Sequence, residues 1–239
     1  MSLISQNLQA IHQRIERAVT AAGRAPGSVQ LLAVSKTFDA AAVADAVAQG
    51  QTAFGENYVQ ETLDKIATLA ASGAPALEWH FIGPLQSNKT RQIAEHVDWV
   101  HSVERLKIAQ RLSDQRPPQL PPLNICLQVN ISGEASKSGT TVQDMPALAA
   151  AVAALPRLRL RGLMAIPAPG ADVQQQRAAF AQVRVLFENL RAQGLALDTL
   201  SMGMSDDLEA AIAEGATIVR IGSAIFGART YPSPTKEST

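Results

Sequence analysis

Val29-Gln30-Leu31-Leu32-Ala33-Val34-Ser35-Lys36 is the stretch from which the fold can be worked out. Five of the seven residues before the lysine are apolar, a nearly unbroken run that predicts a strand buried on both faces, as in a parallel sheet covered by helices. Lys36 closes the run where the backbone leaves the core, with a packed stem and an amine partly withdrawn from water. Desolvation disfavours an ammonium and exposes a nucleophilic amine suited to a Schiff base. A surface lysine at a strand-to-loop junction leaves the same local signature, so the rest of the chain has to decide.

The same alternation repeats along the chain. Further strands are predicted at 52–57, 78–83, 99–103, 123–130, 158–166, 199–203 and 217–221. Helical patterns lie between them at 39–49, 58–71, 86–96, 104–114, 143–154, 173–193 and 206–214, with a short helical segment after the last strand. Asp39 is a good N-cap and Gly50 a good stop for the first of these. An additional helix over 3–22 leads the chain, with Leu8, Ile11, Ile15, Ala18 and Val19 on one face. Pro117 to Pro122 is an extended connection rather than a domain linker, because the alternation resumes at once. Strands alternating with helices argue for a parallel sheet. Eight strands too apolar to leave an edge in water favour a closed (β/α)8 TIM-type barrel over an open doubly wound sheet. The expected organisation is one barrel domain over 1–230 and a flexible tail over 231–239, where two prolines and no apolar pattern occur.

Composition narrows the function classes. The 239 residues are 46% hydrophobic, enough for a full core, and the formal net charge is zero. No electrostatic argument therefore points to nucleic acid or to an anionic membrane. The single cysteine, Cys126, excludes an intramolecular disulfide framework and reads as a core residue. No apolar stretch approaches a membrane span, and residues 1–10 lack the pattern of a secretory signal, so a cytoplasmic location is expected. His80, His96 and His101 are not spaced as a metal site on one helix.

In a barrel of this class, functional groups gather at the C-terminal ends of the strands. Lys36 is one such residue. After the seventh strand come Ser201, Met202 and Ser205, the last also positioned to cap a helix. After the eighth, Arg220-Ile221-Gly222-Ser223 opens a helical turn whose N–H groups can bind an anion. The loops after strands seven and eight are a frequent phosphate site in this fold, although a tight turn and an ordinary cap would show the same residues. An amine after strand one and a phosphate cradle after strands seven and eight suggest one ligand, an aldehyde carrying a phosphate. Pyridoxal 5′-phosphate fits.

The residues also resemble a known family. Leu31 to Thr37, Phe54-Gly55-Glu56-Asn57-Tyr58, Trp79 to Lys89, Val129-Asn130-Ile131, Arg161 to Met164, Leu200 to Asp206 and Val219 to Gly222 match the pyridoxal phosphate homeostasis proteins. Those proteins share the barrel of the alanine racemase N-terminal domain. The resemblance implies covalent attachment of the cofactor to Lys36 and a phosphate held by Gly222, Ser223 and Ser205, with Ser201 in reserve. It implies that Arg220 faces the pyridine nitrogen, and that Asn57, His80, Ile82, Gly83 and Met202 lie near the cofactor. A guanidinium cannot take the pyridinium proton, so the cofactor would be a weak electron sink. It further implies a protein that buffers and delivers the cofactor to apo-enzymes without catalytic turnover, while the neutral charge and the lack of an obvious apolar stripe lean towards a monomer. A racemase-like enzyme acting on small amino acids is the alternative, although the second domain of a racemase is not expected here. A cofactor-free lysine aldolase is a third reading. Lys137 is read as a solvated loop lysine, with a role in cofactor transfer as its alternative, and Asp206-Asp207 as helix-capping rather than paired acids.

Overall fold

The computed structural model describes residues 2–133, 138–168, 170 and 172–228. Lys137 and the expected tail over 231–239 lie outside the described residues. The chain runs α1 (Leu3–Ala21), β1 (Gln30–Val34), α2 (Ala40–Val47), β2 (Ala53–Glu56), α3 (Val59–Ala71), β3 (Glu78–Phe81), α4 (Thr90–His96) and β4 (Trp99–Val103). It continues through α5 (Leu106–Gln115), β5 (Leu123–Val129), α6 (Met145–Ala153), β6 (Leu158–Ala165), α7 (Val173–Ala192), β7 (Thr199–Ser201), α8 (Leu208–Ala213), β8 (Ile218–Ile221) and α9 (Ser223–Phe226). The eight parallel strands close in sequence order, and β1 pairs with β8 from Gln30↔Ile218 to Ala33↔Ile221. This is the TIM barrel expected from the alternation.

Side chains alternate across each strand, and the two faces meet different surroundings. Outward residues such as Leu31, Ala33, Phe54, Trp79, Phe81, Val219 and Ile221 pack beneath the helices in the main apolar cluster. Inward residues form two small apolar clusters, Leu32 with Ala53 and Ile218, and Trp99 with Cys126 and Met164. Burial pushes the Cys126 thiol up to about 12, so it stays a protonated core group. Between these clusters the barrel interior is polar, with His80, His101, Ser201 and Arg220 all buried.

Local chemistry sets the helix starts. Asp39 caps α2 by accepting from the Ala42 N–H (2.9 Å), as its position predicted. Most boundaries fall within two residues of expectation, and three changes near the barrel mouth matter for the site. The segment after β3 is irregular and turns over 87–89, with Leu85 drawn into the core, and α4 begins only at Thr90. β7 stops at Ser201 because Gly203 turns the chain at φ 96°, where a Cβ would come within 2.6 Å of Ala211. The following helix therefore starts at Leu208, and Ser205 is not its cap. Asp207 holds the cap position, but its carboxylate turns back to accept from the Met204 N–H (2.6 Å). α1 lies against α2, α8 and α9, on the flank of the barrel.

Candidate functional site

At the C-terminal mouth of the barrel a cavity of about 220 Å³ is lined by Val34, Lys36, Asn57, Ile82, Ile166, Met204, Ser205, Asp206, Arg220, Gly222 and Ser223. A larger cavity of about 450 Å³ lies between α1 and the loop before β1, but it collects no comparable set of convergent polar groups. Seven of the expected site residues therefore share one cavity: Lys36, Asn57, Ile82, Ser205, Arg220, Gly222 and Ser223.

Four expected residues do not line it, for two separate reasons. Gly83 and Met202 sit at outward positions, each one residue past an inward or cavity-lining neighbour. Met202 is fully buried in the strand–helix layer. Gly83 is a close-approach residue, because a Cβ there would stand 2.1 Å from the carbonyl oxygen of Asn57. His80 and Ser201 have the inward parity but lie one layer too deep, below the cavity floor, and neither is exposed. Val34, Ile166, Met204 and Asp206 complete the lining; none of them was among the expected cofactor contacts, and Asp206 was expected to cap a helix. The signal that could have found Val34 and Ile166 is parity, since each lies two residues beyond an inward residue, Leu32 and Met164.

The deeper polar residues form a directed chain. Arg220 donates through Nη1 to the Ser201 carbonyl (2.6 Å) and hydroxyl (2.9 Å), and through Nη2 to the Ala165 carbonyl (3.0 Å). Ser201 Oγ lies 2.8 Å from His101 Nδ1, and His101 Nε2 lies 2.9 Å from His80 Nδ1. Burial, then the neighbouring His80 and Arg220, hold His101 well below the ordinary imidazole range, so it is neutral. With Arg220 donating to the hydroxyl, Ser201 passes its hydrogen to His101 Nδ1. His101 then donates from Nε2 to His80 Nδ1, which leaves His80 Nε2 at the end of the chain. That nitrogen stands 3.6 Å from Glu78 Oε2, longer than a full hydrogen bond. The hydrogen-bonded chain thus runs from a cation at the cavity to His80, with the Glu78 carboxylate beyond it. Burial lowers the Arg220 guanidinium to about 10, which leaves it charged at neutral pH.

Lys36 follows β1 after a single residue, Ser35, and is half-buried. The next residue, Thr37, has φ 69°, the only positive φ outside glycine among the described residues. For a β-branched residue that conformation costs about 1–3 kcal/mol and persists only where its surroundings impose it.

α1 braces the other side of the mouth. Asn7 donates to the Ile225 carbonyl (2.9 Å), and Arg14 donates to the Ser205 carbonyl (2.6 Å) while pairing with Glu209. Both loops that carry Ser205, Gly222 and Ser223 are therefore tied to the leading helix. Gly222 itself is packed against β1, where a Cβ would lie 3.2 Å from the Val34 carbonyl. Buried in the cavity wall, Asn57 Oδ1 has no hydrogen-bond partner, a polar atom that awaits a donor.

Comparison with known proteins agrees with this architecture. The family model for the alanine racemase N-terminal domain matches residues 6–230. The pyridoxal phosphate homeostasis protein of Pseudomonas aeruginosa is 65% identical over 234 residues, covering 98% of this chain and 99% of that protein. The protein of the same name from Escherichia coli strain K12 is 57% identical over 231 residues, covering 97% and 99%. Among solved structures, PipY of Synechococcus elongatus with pyridoxal phosphate bound superimposes with a TM-score of 0.81 at 39% identity, over 94% of this chain and all of that one.

Proposed function

Because this chain belongs to the pyridoxal phosphate homeostasis proteins, built on the alanine racemase N-terminal domain, we propose that it holds pyridoxal 5′-phosphate as a Schiff base on Lys36 and serves to buffer and deliver it. One observation carries the reading: a primary amine, two hydroxyls and the first turn of α9 converge on a single cavity at the barrel mouth. The residues present suit the cofactor. Its phosphate would take N–H groups at Gly222 and Ser223 and the hydroxyls of Ser205 and Ser223, where the first turn of a helix offers donors without intrahelical acceptors. Its ring would lie against Ile82 and Ile166 and could supply the donor that Asn57 Oδ1 lacks.

The cofactor supplies an aldehyde carbon that takes a primary amine reversibly, which is the chemistry a storage site needs. Arg220 decides how much further that chemistry goes. Its guanidinium is anchored from behind by Ser201 and Ala165 and stays charged, so facing the ring nitrogen it would disfavour a second positive charge there and keep that nitrogen unprotonated. A weakly electron-withdrawing cofactor suits holding rather than turnover. We read the protein as a monomeric cytoplasmic carrier whose partners are apo-enzymes that need the cofactor, with residues 1–230 as its binding unit. No helix among the described residues is long and apolar enough to cross a membrane.

The test is covalent. Wild type and Lys36→Ala are incubated with pyridoxal phosphate, reduced with borohydride, digested and weighed as peptides. The wild type should carry the reduced adduct on the Lys36 peptide and the mutant should not. A wild-type protein that gains neither adduct nor visible absorption would end this reading, and turnover of alanine or serine would replace storage by catalysis.

A further inference from the structure

The turn that presents Lys36 is held in a conformation its own sequence disfavours, and one carboxylate outside the cavity holds it. Lys36 and Thr37 are the central residues of a turn closed by the Phe38 N–H donating to the Ser35 carbonyl (3.0 Å). A positive φ at the third position of such a turn is the place for glycine or asparagine, yet Thr37 occupies it at 69°. The Thr37 N–H donates to Glu61 Oε1 (2.5 Å), in the first turn of α3. One helical turn later Lys65 donates to the same oxygen (2.6 Å). Its other two hydrogens go to the Ser35 carbonyl (2.7 Å) and to Glu56 Oε1 (2.6 Å), which also accepts from Ser35 Oγ (2.6 Å). Lys65 is 4% exposed and Glu56 not at all, so the contacts among Lys65, Glu56 and Ser35 are made out of water, where they are strong and well fixed, and they anchor Glu61, itself 25% exposed, at the edge of the cluster.

The cluster therefore grips the chain at Ser35 and at Thr37, on both sides of Lys36. Glu56, Glu61 and Lys65 are absent from the cavity lining, so none of them is placed to touch a ligand there. A staple that only joined α3 to the sheet could end at Glu56. The contact to Thr37 adds nothing to that join and instead selects the backbone conformation next to the reactive amine. We infer that Glu61, fixed by Lys65, is a positioning residue that holds the Ser35–Phe38 turn so that the Lys36 amine enters the cavity in reactive orientation. The inference rests on the reading of Lys36 as the cofactor-holding amine.

Two variants test it, Glu61→Ala and the double variant Glu61→Ala with Thr37→Gly. Glycine adopts the positive φ unaided, so the second variant removes the need for the clamp. Uptake of pyridoxal phosphate at Lys36, followed by borohydride trapping and peptide mass, should slow about tenfold in Glu61→Ala and return most of the way in the double variant, as expected for a displaced reacting group. Hydrogen exchange should lose protection at Thr37 and Phe38 in Glu61→Ala while β5 stays protected. Wild-type uptake in Glu61→Ala would overturn the inference, as would slow uptake that glycine leaves uncorrected, or protection lost equally throughout the barrel. If the wild type takes up no cofactor, the functional reading fails instead, and exchange at Thr37 and Phe38 still decides whether Glu61 clamps the turn.

Discussion

Parity and depth separate the residues that line the cavity from those that only resemble them. Lys36, Gly222 and Ser223 were legible because a group at the C-terminal end of a barrel strand reaches the mouth. Gly83 and Met202 were not excluded in advance, although alternation with their neighbours places them outward, under the helices. His80 and Ser201 carry the right parity, and their depth depends on how far each tilted strand climbs the barrel axis, which local sequence does not encode. If Ser205 and Ser223 hold a phosphate, Ser205→Ala and Ser223→Ala should each weaken binding of a phosphate ester lacking the aldehyde by about tenfold, the lower end expected for one lost bond to a charged group. Titration of the wild type and both variants measures this. Unchanged affinity in both would move the phosphate elsewhere.

Elements do their work here by bracing loops. α1 lies on the flank of the barrel, and its apolar stripe packs as the spacing of Leu8, Ile11, Ile15 and Val19 required. Its polar residues were not informative in sequence, because Arg14 meets Ser205 and Glu209 only after some 190 residues of chain have circled the barrel. The Arg14–Glu209 pair is half in water, with side chains 31% and 51% exposed, and such pairs contribute about 0–1 kcal/mol. Arg14→Met should therefore lower the unfolding free energy by only about 1 kcal/mol, while releasing the Ser205 carbonyl and raising hydrogen exchange across 204–209. A large stability loss with exchange unchanged in that segment would show α1 as a simple cover. Asp39 is the contrasting case. Its capping contact is three residues away, so local sequence sufficed to predict it.

The interior chain runs from Arg220 to His80, and the Glu78 carboxylate lies 3.6 Å beyond it towards the far end of the barrel. At the far end, the nearby His80 imidazole first, then the hydrogen bonds donated by Trp99 and Gln30, outweigh burial and hold the Glu78 carboxyl at about 2, below its usual 4.5. The unfolded chain binds the extra proton between those values, so this contribution to stability is complete above pH 4.5 and is lost as pH falls towards 2. The Glu78 side chain is 38% exposed, so solvent weakens the effect. Urea unfolding of the wild type should show stability falling between about pH 5 and pH 2.5, with a shallower fall in Glu78→Gln. Equal slopes in the two proteins would uncouple Glu78 from the fold. What the sequence by itself determined was the alternation of eight apolar strands with helices, hence the barrel, and with it the end at which Lys36, Ser205, Gly222 and Ser223 must gather. Short-range periodicity and strand order carry that information. Tertiary structure alone decided which layer each inward residue occupies, that Arg220 is anchored by Ser201 and Ala165, and that Glu61 reaches Thr37 beside the lysine. Those contacts join residues 19 to 55 positions apart, and only closure of the barrel sets the distance between them.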